Sequence, residues 1–155
     1  MNKVILIGRS GCGKTTLTQA LAGETIHYAK TQSVLRERFT IDTPGEYVES
    51  RQFGAALAVY TYESDIVGLL LSATEPYSLY SPNVVSMANR PVIGIVTAID
   101  RKNADPDRAE RWLRLAGCRK IFRVSSVTGE GIESLKRFLS DFEPKKHYKT
   151  HYFDI

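Results

Sequence analysis

The sequence predicts an α/β three-layer sandwich built on a mostly parallel sheet. Three observations carry that reading. Apolar runs such as Val4-Ile5-Leu6-Ile7 and Ile66 to Leu71 lack the polar alternation of a half-exposed strand, so they read as strands buried on both faces. Amphipathic stretches of helical period separate these runs, as in a chain of strand-helix-strand units. A glycine-rich segment, GRSGCGKT from Gly8 to Thr15, stands where the first strand hands over to the first helix.

Val4 to Ile7 is the first strand. Lys14 to Ala22 follows as a helix, with Leu17, Ala20 and Leu21 at helical spacing and Gly23 as its stop. Glu24 to Ser33 is polar and irregular. Gln32 to Leu35 and Arg38 to Ile41 read as a short, tight hairpin. Ser50 to Tyr62 reads as a helix with Phe53, Leu57 and Tyr60 on one side. Ile66 to Leu71 is the next buried strand. Pro76 to Asn89 stands where this architecture calls for a helix, yet its prolines, serines and tyrosines favour a loop with a short helical piece. Val92 to Val96 is a third buried strand. Asp105 to Ala116 opens Asp-Pro, an N-cap followed by proline at the first turn, and closes on Gly117. Lys120 to Val124 is a fourth strand and Ile132 to Leu139 the last helix. The expected organisation is one domain over residues 1–142 and a basic, aromatic tail, EPKKHYKTHYFDI, over residues 143–155.

Composition narrows the function classes. The chain has 155 residues, 43% of them hydrophobic and 25% charged, which suits one soluble domain with a real core. No apolar run reaches the roughly 18 residues of a membrane span. Met1-Asn2-Lys3-Val4 leads directly into a strand, without the apolar region and small-residue cleavage site of a secretory signal, so a cytoplasmic protein with no membrane partner is expected. Cys12 and Cys118 fit no metal-ligand spacing and read as thiols of a reducing compartment. The net charge is +4, but the basic residues are scattered and the densest group, Lys145, Lys146 and Lys149, lies in the tail. No basic stripe or RNA-binding motif accompanies the charge, so nucleic acid is not an expected partner.

GRSGCGKT fits G-x-x-x-x-G-K-[ST], and its setting between strand and helix is the one the chemistry needs. Gly8, Gly11 and Gly13 let the backbone curl until successive N–H groups face inward and cradle anionic oxygens. The helix that starts near Lys14 adds its positive end. Lys14 supplies a mobile ammonium for β- and γ-phosphates, and Thr15 a hydroxyl for Mg²⁺. The nucleotide contacts expected here are Gly8, Ser10, Gly11, Cys12, Gly13, Lys14, Thr15 and Thr16. Cys12 reads as a small side chain packed behind the loop. Further on, IDTPGE places Asp42 at a strand's carboxyl end, where a carboxylate reaches the metal through water, and Gly45 where a backbone N–H approaches a γ-phosphate. Thr31 lies between the first helix and that strand and completes the metal shell when a γ-phosphate is present. In VSSVTGEGIESL, Ser125, Ser126 and Val127 form a turn after the fourth strand, with Gly129 and Gly131 shaping the loop that enters the last helix.

In this order, a phosphate loop, D-x-x-G, a turn ending in aspartate and an S-[SA]-x turn, the residues resemble the small Ras-like and Era-like GTPases, a P-loop NTPase fold. The resemblance covers residues 1 to about 142. HYAKTQSV, IDTPGEY and RPVIGIVT narrow it to the bacterial EutP/PduV family, with the chain more like the PduV branch. That resemblance implies a GTPase-like protein using Mg²⁺ and GTP or GDP, with ATP as the other candidate nucleotide. It also implies a link to ethanolamine or propanediol utilisation, and partners among microcompartment shell or pathway proteins.

The departures from the family pattern matter as much. The base-reading turn of GTPases is N-K-x-D; here it is Thr97-Ala98-Ile99-Asp100. Asp100 can accept hydrogen bonds from guanine N1–H and the exocyclic amine, whereas adenine presents a lone pair at N1. The missing asparagine would have braced the loop and the missing lysine would have laid its stem along the base. Each lost contact weakens guanine binding by about 1–3 kcal/mol. Glu46 stands where many relatives place a water-positioning glutamine, and its charge repels the γ-phosphate, so slow hydrolysis is expected. Lys14, Glu46 and Thr31 are the expected catalytic set, Thr15, Thr31 and Asp42 the metal set. Gly11 replaces the asparagine of potassium-activated relatives, which predicts no potassium activation. Two other function classes stand beside the GTPase: an acetate kinase-like phosphotransferase, and a non-enzymatic microcompartment-associated binding protein with a degenerate nucleotide site.

Overall fold

The computed structural model describes residues 4–9, 13–21, 40–41, 64–78 and 80–142. Its elements are β1 (Val4–Arg9), α1 (Lys14–Leu21), β2 (Thr40–Ile41), β3 (Ile66–Ser72), a 3₁₀ turn at Val84–Met87, β4 (Val92–Thr97), α2 (Pro106–Ala116), β5 (Ile121–Arg123) and α3 (Ile132–Asp141). The expected helix at 50–62, the first limb of the hairpin at 32–35 and the tail at 143–155 lie outside the described residues. The hairpin's second limb overlaps β2.

The five described strands lie in the order β2-β1-β3-β4-β5 with every pairing among them parallel. Among the described residues, β1 is therefore flanked by the next two strands in sequence, one on each side. In a parallel sheet a ligand crevice opens outside the carboxyl ends of the strands at such a reversal.

The buried runs have the double-sided character that the sequence predicts. Ile5, Ile7, Val67, Leu69, Leu71, Val92 and Val96 join one core layer, under α2 and the 3₁₀ turn. Val4, Leu6, Ile66, Leu70, Ile93 and Ile95 join the other, under α1 and α3. Alternate residues of each strand thus face opposite helical layers, and all seven residues of β3 are buried. α2 turns Ala109, Leu113 and Ala116 inward, and α3 turns Ile132, Leu135 and Leu139 inward. Each fully buried leucine or isoleucine contributes about 1.5–3 kcal/mol.

The helix ends follow local chemistry. Asp105 accepts a hydrogen bond from Arg108 N at 3.1 Å, with Pro106 opening α2, and Gly117 closes it in the left-handed conformation. Among the described residues of the 76–89 region the helical piece is the 3₁₀ turn at Val84–Met87. Tyr80 from this segment is buried, and its hydroxyl donates to Leu70 O at 2.7 Å and reaches Ile7 O at 3.2 Å, tying β1 to β3. Among the described residues no helix is long and apolar enough to cross a membrane.

Candidate functional site

At the carboxyl edge of the sheet, Gly13, Thr16, Ser72, Thr74, Thr97, Ala98, Asp100, Arg101, Ser126 and Val127 line a cleft of about 160 Å³. They come from the start of α1 and from the segments after β3, β4 and β5. Whole-ligand pockets usually exceed roughly 300 Å³, so these residues enclose one end of a site. A larger open groove of about 420 Å³ lies between β5 and α3, walled by Phe122, Phe138 and Phe142. The smaller cleft is the stronger candidate, because it combines a helix start, a carboxylate and several hydroxyls at the strand ends.

Gly13 stands at the start of α1, where its carbonyl accepts the first helical hydrogen bond from Leu17 N at 2.8 Å. Its φ of +99° suits glycine, whereas an added Cβ would meet only Thr97 at an ordinary 3.7 Å. Backbone conformation, not space, sets this residue. Lys14 and Thr15 occupy the first turn of α1, as the motif predicts. Gly8 is still inside β1, in register with Thr40 of β2, so the strand runs two residues beyond Ile7 before the loop begins.

The turn after β4 is organised around Asp100. Ser125 Oγ donates to Asp100 Oδ1 at 2.8 Å and accepts from Thr128 N at 3.0 Å. Ser125 is fully buried and its backbone N–H donates to Glu130 O at 2.9 Å. Ser125 thus holds the carboxylate from behind, while Ser126 and Val127 line the cleft. Arg101 N donates to Ala98 O at 3.2 Å, and Ala98 takes a φ of 59°, which for a residue with a Cβ costs about 1–2 kcal/mol. Where N-K-x-D would place asparagine, buried Thr97 packs on Gly13, and its carbonyl accepts from Ala73 N at 2.8 Å. Packing here connects β4 to the phosphate-loop end of the cleft.

The structure therefore brings Gly13, Thr16, Thr97, Asp100, Ser125, Ser126 and Val127 into one neighbourhood. Ser10, Gly11, Cys12, Thr31, Asp42, Gly45 and Glu46 lie outside the described residues. Sequence reasoning passed over Ser72, Thr74 and Arg101. Ser72 and Thr74 share a hydroxyl hydrogen bond of 2.8 Å, and Thr74 N donates to Ser72 Oγ at 3.2 Å. Their signal was positional: Ser72 ends a central parallel strand at its carboxyl end and Thr74 lies just beyond it.

The carboxylate oxygens of Asp100 are hydrogen-bond acceptors on the cleft, and Oδ1 already takes the Ser125 hydroxyl.

Residues 1–141 match the PduV-EutP family, described as ethanolamine utilisation - propanediol utilisation. The chain belongs to this family. It is 45% identical over 143 residues to the propanediol utilization protein PduV of Citrobacter freundii, covering 90% of this chain and 94% of that one. It is 26% identical over 157 residues to the probable acetate kinase EutP of Escherichia coli strain K12, covering 98% and 99%. Within PduV-EutP, then, the PduV likeness is the stronger, as expected for the branch. Among solved structures, the G domain of the T. maritima FeoB iron transporter superposes with a TM-score of 0.53 at 26% identity, over 90% of this chain and 96% of that chain. The fold is that of the P-loop GTPase G domains.

Proposed function

We propose that this protein is a Mg²⁺-dependent guanine-nucleotide-binding protein that hydrolyses GTP slowly and acts as a switch or assembly factor in propanediol or ethanolamine utilisation, in the cytoplasm and at bacterial microcompartments. The observation that carries the reading is the Asp100 carboxylate, held by Ser125 at 2.8 Å on the cleft that Gly13 and Thr16 also line. In this reading one ligand meets Asp100 with its base edge and the phosphate loop with its phosphates.

In this reading the backbone N–H groups of Gly11 to Thr15, with the Lys14 ammonium, hold the phosphates. Thr15, Thr31 and Asp42 are oxygen donors of the hard type that Mg²⁺ prefers. Bound there, Mg²⁺ neutralises charge on the β- and γ-phosphates. Gly45 senses the γ-phosphate through its N–H, and Glu46 orients water at the cost of repulsion, which keeps hydrolysis slow. Asp100 reads guanine.

The test is binding of GDP, GTP, ADP and ATP in the presence of Mg²⁺, by the full chain and by its Asp100→Ala variant. Guanine preference that disappears in the variant is the expected result. No binding of any of the four at about millimolar concentration removes the reading.

The likeness to a probable acetate kinase favours a second reading, transfer of a γ-phosphate to a small carboxylic acid. Formation of acyl phosphate from acetate and ATP or GTP, rather than release of inorganic phosphate, would replace hydrolysis by transfer.

A further inference from the structure

We propose that Arg101 is a base-binding residue of this site that adds affinity, with its guanidinium lying over the face of the purine whose edge Asp100 holds. The inference rests on the nucleotide reading above and adds a base contact that the N-K-x-D pattern does not contain.

Four observations lead to it. Arg101 lines the cleft beside Asp100, so two consecutive residues of one turn face the same ligand space. The turn is closed by Arg101 N donating to Ala98 O, which sets the arginine's Cα over the same short loop as the base-reading carboxylate. Ala98, at the place of the lysine in the N-K-x-D pattern, offers only a methyl group, so the aliphatic cover of the base is missing from that position. Finally, the exposed guanidinium of Arg101, like those of Arg111 and Arg137, makes no hydrogen bond or ion pair among the described residues, whereas Arg90, Arg108, Arg114 and Arg123 use theirs on a carbonyl or carboxylate; of the three, Arg101 alone lines this cleft.

The chemistry suits the place. A guanidinium is planar and weakly hydrated, and it stacks on aromatic faces. Every purine has such a face, so the contact is insensitive to the base edge. Asp100 then discriminates and Arg101 adds affinity. Val127, 78% exposed, also lines the cleft and adds an apolar surface to it.

The experiment measures dissociation constants of the full chain with Mg²⁺ for GDP, inosine diphosphate and inorganic pyrophosphate, the last by competition against GDP. The proteins are wild type, Arg101→Ala, Arg101→Lys and Asp100→Ala. Arg101→Ala is expected to weaken GDP and inosine diphosphate by the same factor, about five- to thirty-fold, and to leave pyrophosphate unchanged. Arg101→Lys, which keeps the charge but loses the plane, is expected to recover only part of the loss. Asp100→Ala instead changes the ratio between the two nucleotides.

Unchanged GDP binding in Arg101→Ala overturns the proposal, and so does an equal loss for pyrophosphate, which would place the guanidinium on phosphate. A wild-type protein that binds GDP through Asp100 yet ignores Arg101→Ala overturns this inference alone. A wild-type protein that binds neither nucleotide overturns the reading on which it rests. Thermal unfolding of Arg101→Ala at the wild-type temperature separates lost contact from lost fold.

Discussion

Ser125 Oγ lies 2.8 Å from Asp100 Oδ1, joining the turn after β4 to the turn after β5 across 25 residues of sequence. The same oxygen accepts from Thr128 N at 3.0 Å, so one buried hydroxyl both orients the carboxylate and closes its own loop. Ser125→Ala is expected to weaken GDP binding about three- to tenfold and to cost about 1 kcal/mol of stability, because Thr128 N loses its acceptor. Calorimetric titration and urea unfolding would check the two effects. GDP binding at full strength would mean that Asp100 keeps its place without help.

Tyr80 offers a second buried oxygen at a junction. Its hydroxyl donates to Leu70 O and reaches Ile7 O, beside the reversal point of the sheet. Tyr80→Phe keeps the ring and removes the donor, so urea unfolding should show a loss of about 1–2 kcal/mol. A loss under about 0.5 kcal/mol would show that the two carbonyls find other donors.

Gly129 and Gly131 share one loop and a left-handed backbone, at φ 86° and 76°, yet differ in the space around them. A Cβ on Gly129 meets nothing within 4 Å, whereas on Gly131 it falls 2.0 Å from Arg123 O. Gly129→Ala is expected to cost about 1 kcal/mol, the conformational term alone. Gly131→Ala adds a collision with fixed backbone and is expected to cost more than about 2 kcal/mol. Equal losses in denaturant unfolding would show that the loop yields at Gly131.

Cys118 is buried, and burial pushes its thiol from the ordinary 9.0 up to about 12, against a small downward pull from Arg114. The native protein thus holds the thiol proton between about 9 and 12, while the unfolded chain has released it. The unfolded state binds fewer protons there, so stability falls as pH rises through this window, and below it the effect is absent. Cys118→Ala should flatten that part of the stability profile. In a Cys12→Ala background the native protein at pH 8 should resist iodoacetamide, since a buried thiol is inert. Rapid labelling would mean that the α2–β5 connection opens readily.

Much of the fold was legible because burial leaves a local mark. Residues covered on both faces must be apolar without alternation, and Val4–Ile7, Ile66–Leu71 and Val92–Val96 show it. The Asp105-Pro106 opening and the Gly117 stop of α2 were equally local, since caps depend on two or three neighbouring residues. The shortened element at Val84–Met87 was foreshadowed by prolines and serines. The extents differed at the ends: β1 runs on to Arg9 because β2 pairs with Gly8 and Arg9, a partnership that no property of β1 announces.

The candidate site divides along the same line. The sequence by itself determined the phosphate-loop motif, the family and the candidacy of Asp100, because these depend on residue types at short spacings. The tertiary structure alone decided that Ser125 stands behind Asp100, that Thr97 packs on Gly13, and that Ser72, Thr74 and Arg101 share the cleft. Those relations join strand ends far apart in the chain. They exist because parallel pairing in the order β2-β1-β3-β4-β5 gathers the carboxyl ends of the strands along one edge.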